Sequence, residues 1–216
     1  PHGHLDALHL SLWHRGEPII IDPGTGAYYA DKTVRSYFAD WASHNGPHLK
    51  KPPQPYPARR GIFLWAQHHP VPKFSKISEH SIRAEVSLSY GTAVRTVTMG
   101  KEIAIRDDYT RFGQPVVATR WKFAPELRIT QCAPSAFKVT GDSDRVRFTF
   151  SGGWKMARSF NPPEQLRGKT AATAAELGKL PLDSLVSPAF RSLAAASYLC
   201  LESNEAGPFE VTISAG

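Results

Sequence analysis

Hydrophobic and polar residues alternate with a period of two through much of the chain. Ile82, Ala84, Val86 and Leu88 stand against Arg83, Glu85 and Ser87, and Val146, Phe148 and Phe150 stand against Arg145, Arg147 and Thr149. Successive side chains of a strand point to opposite faces, so this pattern predicts half-buried strands. Further strands are expected at 5–13, 17–22, 61–67, 93–99, 102–106, 116–123, 136–140, 198–202 and 209–214, with Gly, Pro and Asp punctuating nearly every gap. Many short strands with turn signals and almost no helical periodicity predict an all-β fold, an antiparallel two-sheet β-sandwich. The same pattern disfavours a parallel α/β fold.

A chain of 216 residues is long enough to bury its own core, so one sandwich domain over 1–216 is expected. Residues 164–180 are Ala-rich and polar between Pro163 and Pro181, and read as a surface insertion, either a short helix or disordered. The Pro-rich run Lys51–Pro57 reads as an extended loop. The chain opens on Pro1 with no leader and no long apolar run, so it is expected to begin inside a longer protein and to lack a membrane span. That start leaves the compartment undetermined.

The formal charge of +7 favours acidic partners: uronate or sulfated glycans, nucleic acid, or a membrane surface. The basic residues are scattered, with short clusters only at Lys50-Lys51 and Arg59-Arg60. No Lys/Arg run interleaves with aromatics as nucleic-acid grooves require, which argues against a nucleic-acid partner. Cys132 and Cys200 suit buried thiols or one bridge equally well. Neither a Gly-rich phosphate loop, a paired-Cys metal spacing nor a nucleophile-elbow serine is present.

The chemistry concentrates at the start. His2, His4 and Asp6 share parity with Leu8, Leu10 and Leu12, so on a strand all six would face one way, an apolar stripe ending in titratable groups at the rim of the core. Gly16 supplies a turn, the apolar stretch Pro18–Ile21 follows, and it ends at Asp22-Pro23-Gly24-Thr25 with Tyr28 beyond. A second polar site follows at Ala42-Ser43-His44-Asn45.

Taken in order, His2-Gly3-His4-Leu5-Asp6-Ala7-Leu8, Gly16-Glu17-Pro18, Asp22-Pro23-Gly24-Thr25, Tyr28 and Ala42-Ser43-His44-Asn45 resemble the C-terminal domain of heparinase II/III-type lyases. Later segments agree more loosely: Gly61-Ile62-Phe63-Leu64-Trp65, the strands around Arg95 and Asp107, and Ser187-Pro188. The resemblance implies a β-sandwich that faces an N-terminal helical toroid of the same protein, cleaves acidic polysaccharide such as glycosaminoglycan or alginate by β-elimination, and works in the periplasm or outside the cell. It implies a catalytic role for His2, as base or as neutraliser of the uronate carboxylate, and a substrate contact for Tyr28. The family's main acid/base tyrosine belongs to the toroid, so the chain by itself is expected to be inactive. A non-catalytic glycan-binding or structural module is the alternative.

The resemblance also implies a zinc site at His4, Asp22 and His44, mainly structural. Two imidazoles and a carboxylate suit zinc, with water as a fourth ligand. The strand pairing conflicts with it: if Arg15-Gly16 forms a two-residue hairpin loop, Asp22 falls opposite His9, several residues from His4 and on the wrong face. Either the first strand pairs differently or the ligand set is wrong. His9 and His14 read as surface or second-layer residues.

Overall fold

The structure is a computed structural model that describes residues 4–26, 32–51, 59–60, 64–65, 71–111, 116–142, 144–169, 174–189, 192–205 and 207–216. His2, Tyr28, most of the Pro-rich run and His68-His69 lie outside the described residues. In chain order the elements are β1 (Leu12–His14), β2 (Glu17–Ile20), α1 (Lys32–Ala39), β3 (His48–Leu49), β4 (Arg59–Arg60), β5 (Leu64–Trp65), β6 (Lys73–Ser78), β7 (Ser81–Leu88), β8 (Gly91–Met99) and β9 (Ile103–Arg111). They continue with β10 (Val117–Lys122), β11 (Arg128–Ala133), β12 (Ala136–Thr140), β13 (Asp144–Ser151), β14 (Lys155–Phe160), α2 (Ala174–Leu177), β15 (Leu185–Val186), β16 (Ala194–Ala195), β17 (Tyr198–Ser203) and β18 (Phe209–Ala215).

Among the described residues these strands make an antiparallel sandwich of unequal layers: a four-stranded sheet, β14-β17-β10-β3, and an eight-stranded sheet, β11-β12-β13-β18-β9-β8-β7-β6. The period-two pattern sets both inner faces. Val117, Trp121, Leu199 and Leu201 from the small sheet meet Ile105, Phe148, Phe150, Val211 and Ile213 from the large one in one core cluster. Trp121 and Phe123 both pack edge-on against Phe148, at 5.2 and 6.0 Å between ring centroids.

The outer face of the small sheet is covered as well. α1 and the segment after β14 lay Phe38, Leu166, Leu177, Leu185 and Ala195 over it as a second cluster. Lys122 lies under this cover, its ammonium donating to the Leu185 carbonyl at 2.7 Å and standing 4.6 Å from the Tyr37 ring centroid. Desolvation holds its pKa well below the ordinary lysine value.

The opening segment differs from the sequence expectation. Of the expected strand 5–13 only Leu12 and Trp13 fall in a strand, β1. Residues 7–8 form a turn, closed by His9 N–H donating to the Asp6 carbonyl at 2.9 Å, with Leu8 at φ 64°. The cause is the partners on offer. Among the described residues no strand pairs with residues 7–10; instead Asn45 takes the Leu10 N–H at 2.9 Å and gives its own amide to the Leu10 carbonyl at 2.7 Å. With those groups satisfied by a side chain, the backbone is free to turn rather than extend. The two-residue turn at Arg15-Gly16 is present, both residues at positive φ as a type I′ hairpin requires.

Candidate functional site

Three segments converge beside the end of the small sheet. The first is the turn at residues 4–9, anchored by Leu5 N–H on the Ala39 carbonyl at 3.0 Å and by burial of Leu5, Ala7 and Leu8. The second follows β2, which is docked on the end of β10 through Ile21 N–H to the Lys122 carbonyl at 3.1 Å. Its Asp22 carboxylate accepts from Gly24 N–H at 2.7 Å, and the Pro23 carbonyl accepts from Ser187 N–H at 2.7 Å. The third is a single 3-10 turn at Trp41–Ser43, capped by Asp40, whose side chain accepts from Ala42 N–H at 2.8 Å, and it delivers His44.

His4, Asp22 and His44 each offer a ligand atom, all within 4.8 Å of one another. His44 is fully buried, His4 half-buried and Asp22 exposed. The period-two parity argument, which put His4 and Asp22 on incompatible faces, fails because the turn at 7–8 carries His4 back to the cluster. The rest of that argument holds: Asp22 does lie beside His9, with Asp22 Oδ2 at 3.8 Å from His9 Nε2. His9 therefore belongs with the cluster, its ring 5.5 Å from that of His44, and is not the second-layer residue expected from alternation.

The hydrogen bonds select the tautomers. His44 Nδ1 donates to the Asp40 carbonyl at 2.9 Å, which leaves Nε2 as a lone-pair nitrogen. That atom is buried, has no hydrogen-bond partner among the described residues, and lies 3.3 Å from Asp22 Oδ2. A bare imidazole nitrogen and a carboxylate oxygen at this distance repel unless a proton or a metal ion lies between them. His9 is set the other way round: its Nδ1 accepts from Asn45 N–H at 3.4 Å, so its Nε2–H faces Ser11 Oγ at 3.1 Å and the Asp22 carboxylate. His4 Nε2 accepts from Arg35 at 3.3 Å and lies 3.4 Å from Thr25 Oγ1.

Electrostatics reinforce this assignment. Burial, then His44 and Arg35, push the His4 pKa down to about 4, and burial pushes His9 down to about 3 against the pull of Asp22. Both imidazoles are therefore neutral near pH 7, the form that ligates a metal. Asp22 stays ionised: burial alone would raise its pKa, but contact with His44, the charge of His9 and the Gly24 N–H outweigh it and hold it below the usual range. The His4 and His44 imidazoles and the Asp22 carboxylate, with the unpartnered His44 Nε2 among them, could hold a metal ion.

Sequence reading missed what braces the cluster. Arg95, 3% exposed, pairs with Asp107, 1% exposed, through two hydrogen bonds of 2.7 Å. Its remaining donors reach out of the sheet to the Leu8 carbonyl at 2.8 Å, Asn45 Oδ1 at 2.9 Å and the Asn45 carbonyl at 2.7 Å. One guanidinium thus fixes the turn that carries His4 and His9 against the loop that carries His44. The available signal was Arg95 and Asp107 at inward-facing positions of apolar strands, where a charge persists only if paired.

A two-layer antiparallel sandwich with a His-Asp-His cluster at its rim defines the class of domain. The chain matches the heparinase II/III-like C-terminal family over residues 1–213, and it belongs to that family. A comparison with curated proteins found none that matches. Among solved structures, a heparinase III with methylated lysines superposes at TM-score 0.66 and 12% identity, covering 97% of this chain and 29% of that one. A second heparinase III superposes at 0.65 with 10% identity, covering 96% and 29%. The heparan sulfate lyase HepC from Pedobacter heparinus superposes at 0.61 with 11% identity, covering 96% and 30%. At such identities the likeness shows the fold. The chain spans less than a third of the length of these relatives.

Proposed function

We infer that this chain is the β-sandwich half of a polysaccharide lyase that cleaves uronic-acid glycans by β-elimination, working in the periplasm or outside the cell with a helical toroid from the same protein. The observation that carries this reading is the convergence of His4, Asp22 and His44 from three separate segments on one cluster. These residues hold zinc, whose contribution is to fix the spacing of the three segments. The net charge of +7 suits a polyanionic substrate.

The reaction removes the C5 proton of the uronate and expels the glycosidic oxygen at C4, leaving a C4–C5 double bond. It needs the uronate carboxylate neutralised, a base at C5 and an acid at O4. His2, two residues before His4 in the sequence, takes the base or neutralising role, and Tyr28 contacts the substrate. The toroid supplies the remaining acid/base groups, so residues 1–216 alone do not cleave.

The test is a screen of the intact protein against heparin-like, alginate-like and neutral polysaccharides, following the ultraviolet absorbance of the unsaturated product. Absorbance growth on an acidic glycan, lost in His2→Ala, is expected. Intact, folded protein that binds the acidic glycans but produces no unsaturated sugar from any of them would overturn the lyase reading in favour of a glycan-binding module.

A further inference from the structure

The two sheets do not match in width, and among the described residues the mismatch leaves part of an apolar face uncovered. Cross-strand rows on the inner face of the large sheet make this visible. One row runs Val211, Ile105, Val97, Ile82, Lys76 across β18, β9, β8, β7 and β6; the next runs Phe209, Asp107, Arg95, Ala84, Phe74. Burial falls steadily along both. Val211 and Phe209 are each 1% exposed, whereas Ile82 is 56% and Phe74 72% exposed. Met99, opposite Ile103 in a third row, is 57% exposed.

Ala84 and Val86 of β7 still reach the core, but among the described residues no layer of the small sheet lies over Ile82 of β7 or Phe74 of β6. What faces them is the turn at residues 6–10. Together they enclose a groove of about 470 Å³ lined by Asp6, Leu10, Phe74, Ile82, Val97 and Met99. Contiguous apolar side chains of this size left in water are costly, and such patches mark places where another surface sits.

We propose that this groove docks the part of the intact polypeptide that precedes residue 1. This rests on the reading that the protein carries a preceding domain, and it names the surface that receives it. Two observations select this occupant over a second copy of the chain. The chain is the C-terminal portion of its family and spans only 29–30% of the solved relatives' length, so more than twice its own length of polypeptide is available as cover. And one wall of the groove is residues 6–10, two positions past the first described residue, so the preceding polypeptide is joined close to the groove in sequence.

The same wall carries His9, whose ring is part of the His-Asp cluster. A domain seated on Phe74, Ile82 and Met99 therefore ends against the backbone that holds His4 and His9, and docking and site closure share one segment.

Methionine oxidation reads this out without substrate. The chain has two methionines: Met99 on the groove, and Met156, partly buried against the core, as internal control. Dilute peroxide followed by peptide mass spectrometry should oxidise Met99 rapidly in residues 1–216. In the intact protein it should do so roughly tenfold or more slowly, with Met156 unchanged. Equal Met99 rates in the two proteins would overturn the proposal. So would protection of Met99 that grows with concentration in residues 1–216 alone, which would make a second copy the occupant.

The Phe74→Asp and Ile82→Asp changes alter exposed side chains. In the intact protein they should restore fast Met99 oxidation while the melting temperature of residues 1–216 stays unchanged; continued protection in the folded intact variant would also overturn the proposal. Protected Met99 together with an absent elimination product would strike only the lyase reading, and the converse result only the docking surface.

Discussion

Replacing Arg95 by Met separates two roles that its guanidinium combines. The change leaves the Asp107 carboxylate 1% exposed with neither of its two Arg95 bonds. Stripping one partner from a buried ion pair costs about 3–5 kcal/mol. The other lost contacts are cheaper: the Asn45 carbonyl keeps the Thr119 hydroxyl at 2.6 Å and Asn45 Oδ1 keeps the Leu10 N–H at 2.9 Å, so only the Leu8 carbonyl loses a donor outright. An unsatisfied buried acceptor costs about 1–3 kcal/mol. The double variant Arg95→Met/Asp107→Leu removes both charges and retains only that smaller cost.

Urea unfolding should therefore show the single variant losing about 3–5 kcal/mol and the double variant about 1–3 kcal/mol. Stability and metal retention then part company. In the double variant the Leu8 carbonyl loses its tie to the Asn45 loop and the turn is held there only through Leu10 and His9, so zinc affinity measured against a chromophoric chelator should stay weakened roughly 10–100-fold, as when outer supports of metal ligands are removed. A double variant at least as unstable as the single one would refute the charge argument. Wild-type zinc affinity in the double variant would refute the bracing argument.

Three further outcomes follow from the geometry. Protein purified without chelator should contain about one equivalent of zinc, lost in His44→Ala; metal-free wild-type protein with an unchanged melting temperature on adding zinc would contradict the assignment. His48, buried with Nδ1 2.9 Å from the Gly46 carbonyl, has its pKa pushed by burial from 6.5 down to about 4. The unfolded chain then binds the extra proton first, so stability falls as pH drops from 6.5 to about 4, by about 3 kcal/mol for this residue; a His48→Gln variant with the same pH slope as wild type would show that the slope arises elsewhere. Gly46→Ala would place a Cβ 2.4 Å from the Ala7 carbonyl and 2.8 Å from Trp41 Nε1. It should cost about 1–3 kcal/mol by urea unfolding, as overpacking does, and an unaffected variant would mean that the turn at 7–8 can shift freely.

The strands that alternate cleanly, such as β7, β8, β13 and β18, were legible because one of their faces is buried along most of its length. β6, β11 and β14 were not. β6 puts Lys76 in line with Phe74, since among the described residues much of that face lacks an opposing layer and carries no selection for an apolar stripe, and a bulge after Lys76 breaks the alternation. α1 escaped notice because Arg35 occupies one of its buried positions, which breaks the apolar spacing a helix would show. At the site, the resemblance brought His4, Asp22 and His44 together, whereas periodicity argued against it. Alternation presumes a strand, and residues 7–10 have their backbone partners supplied by side chains of Asn45 and Arg95. A contact made over 87 positions of sequence leaves no local pattern to read.

That long reach also orders events during synthesis. The ligand-bearing segments all lie within the first 45 residues, yet the guanidinium that sets their spacing arrives at position 95 and its own counter-ion at 107. Closing so wide a loop is slow compared with local turns. The nascent chain thus exposes its histidines well before they have a fixed geometry, and capture of a metal ion by the proposed site would be a late event that waits on the β8–β9 hairpin.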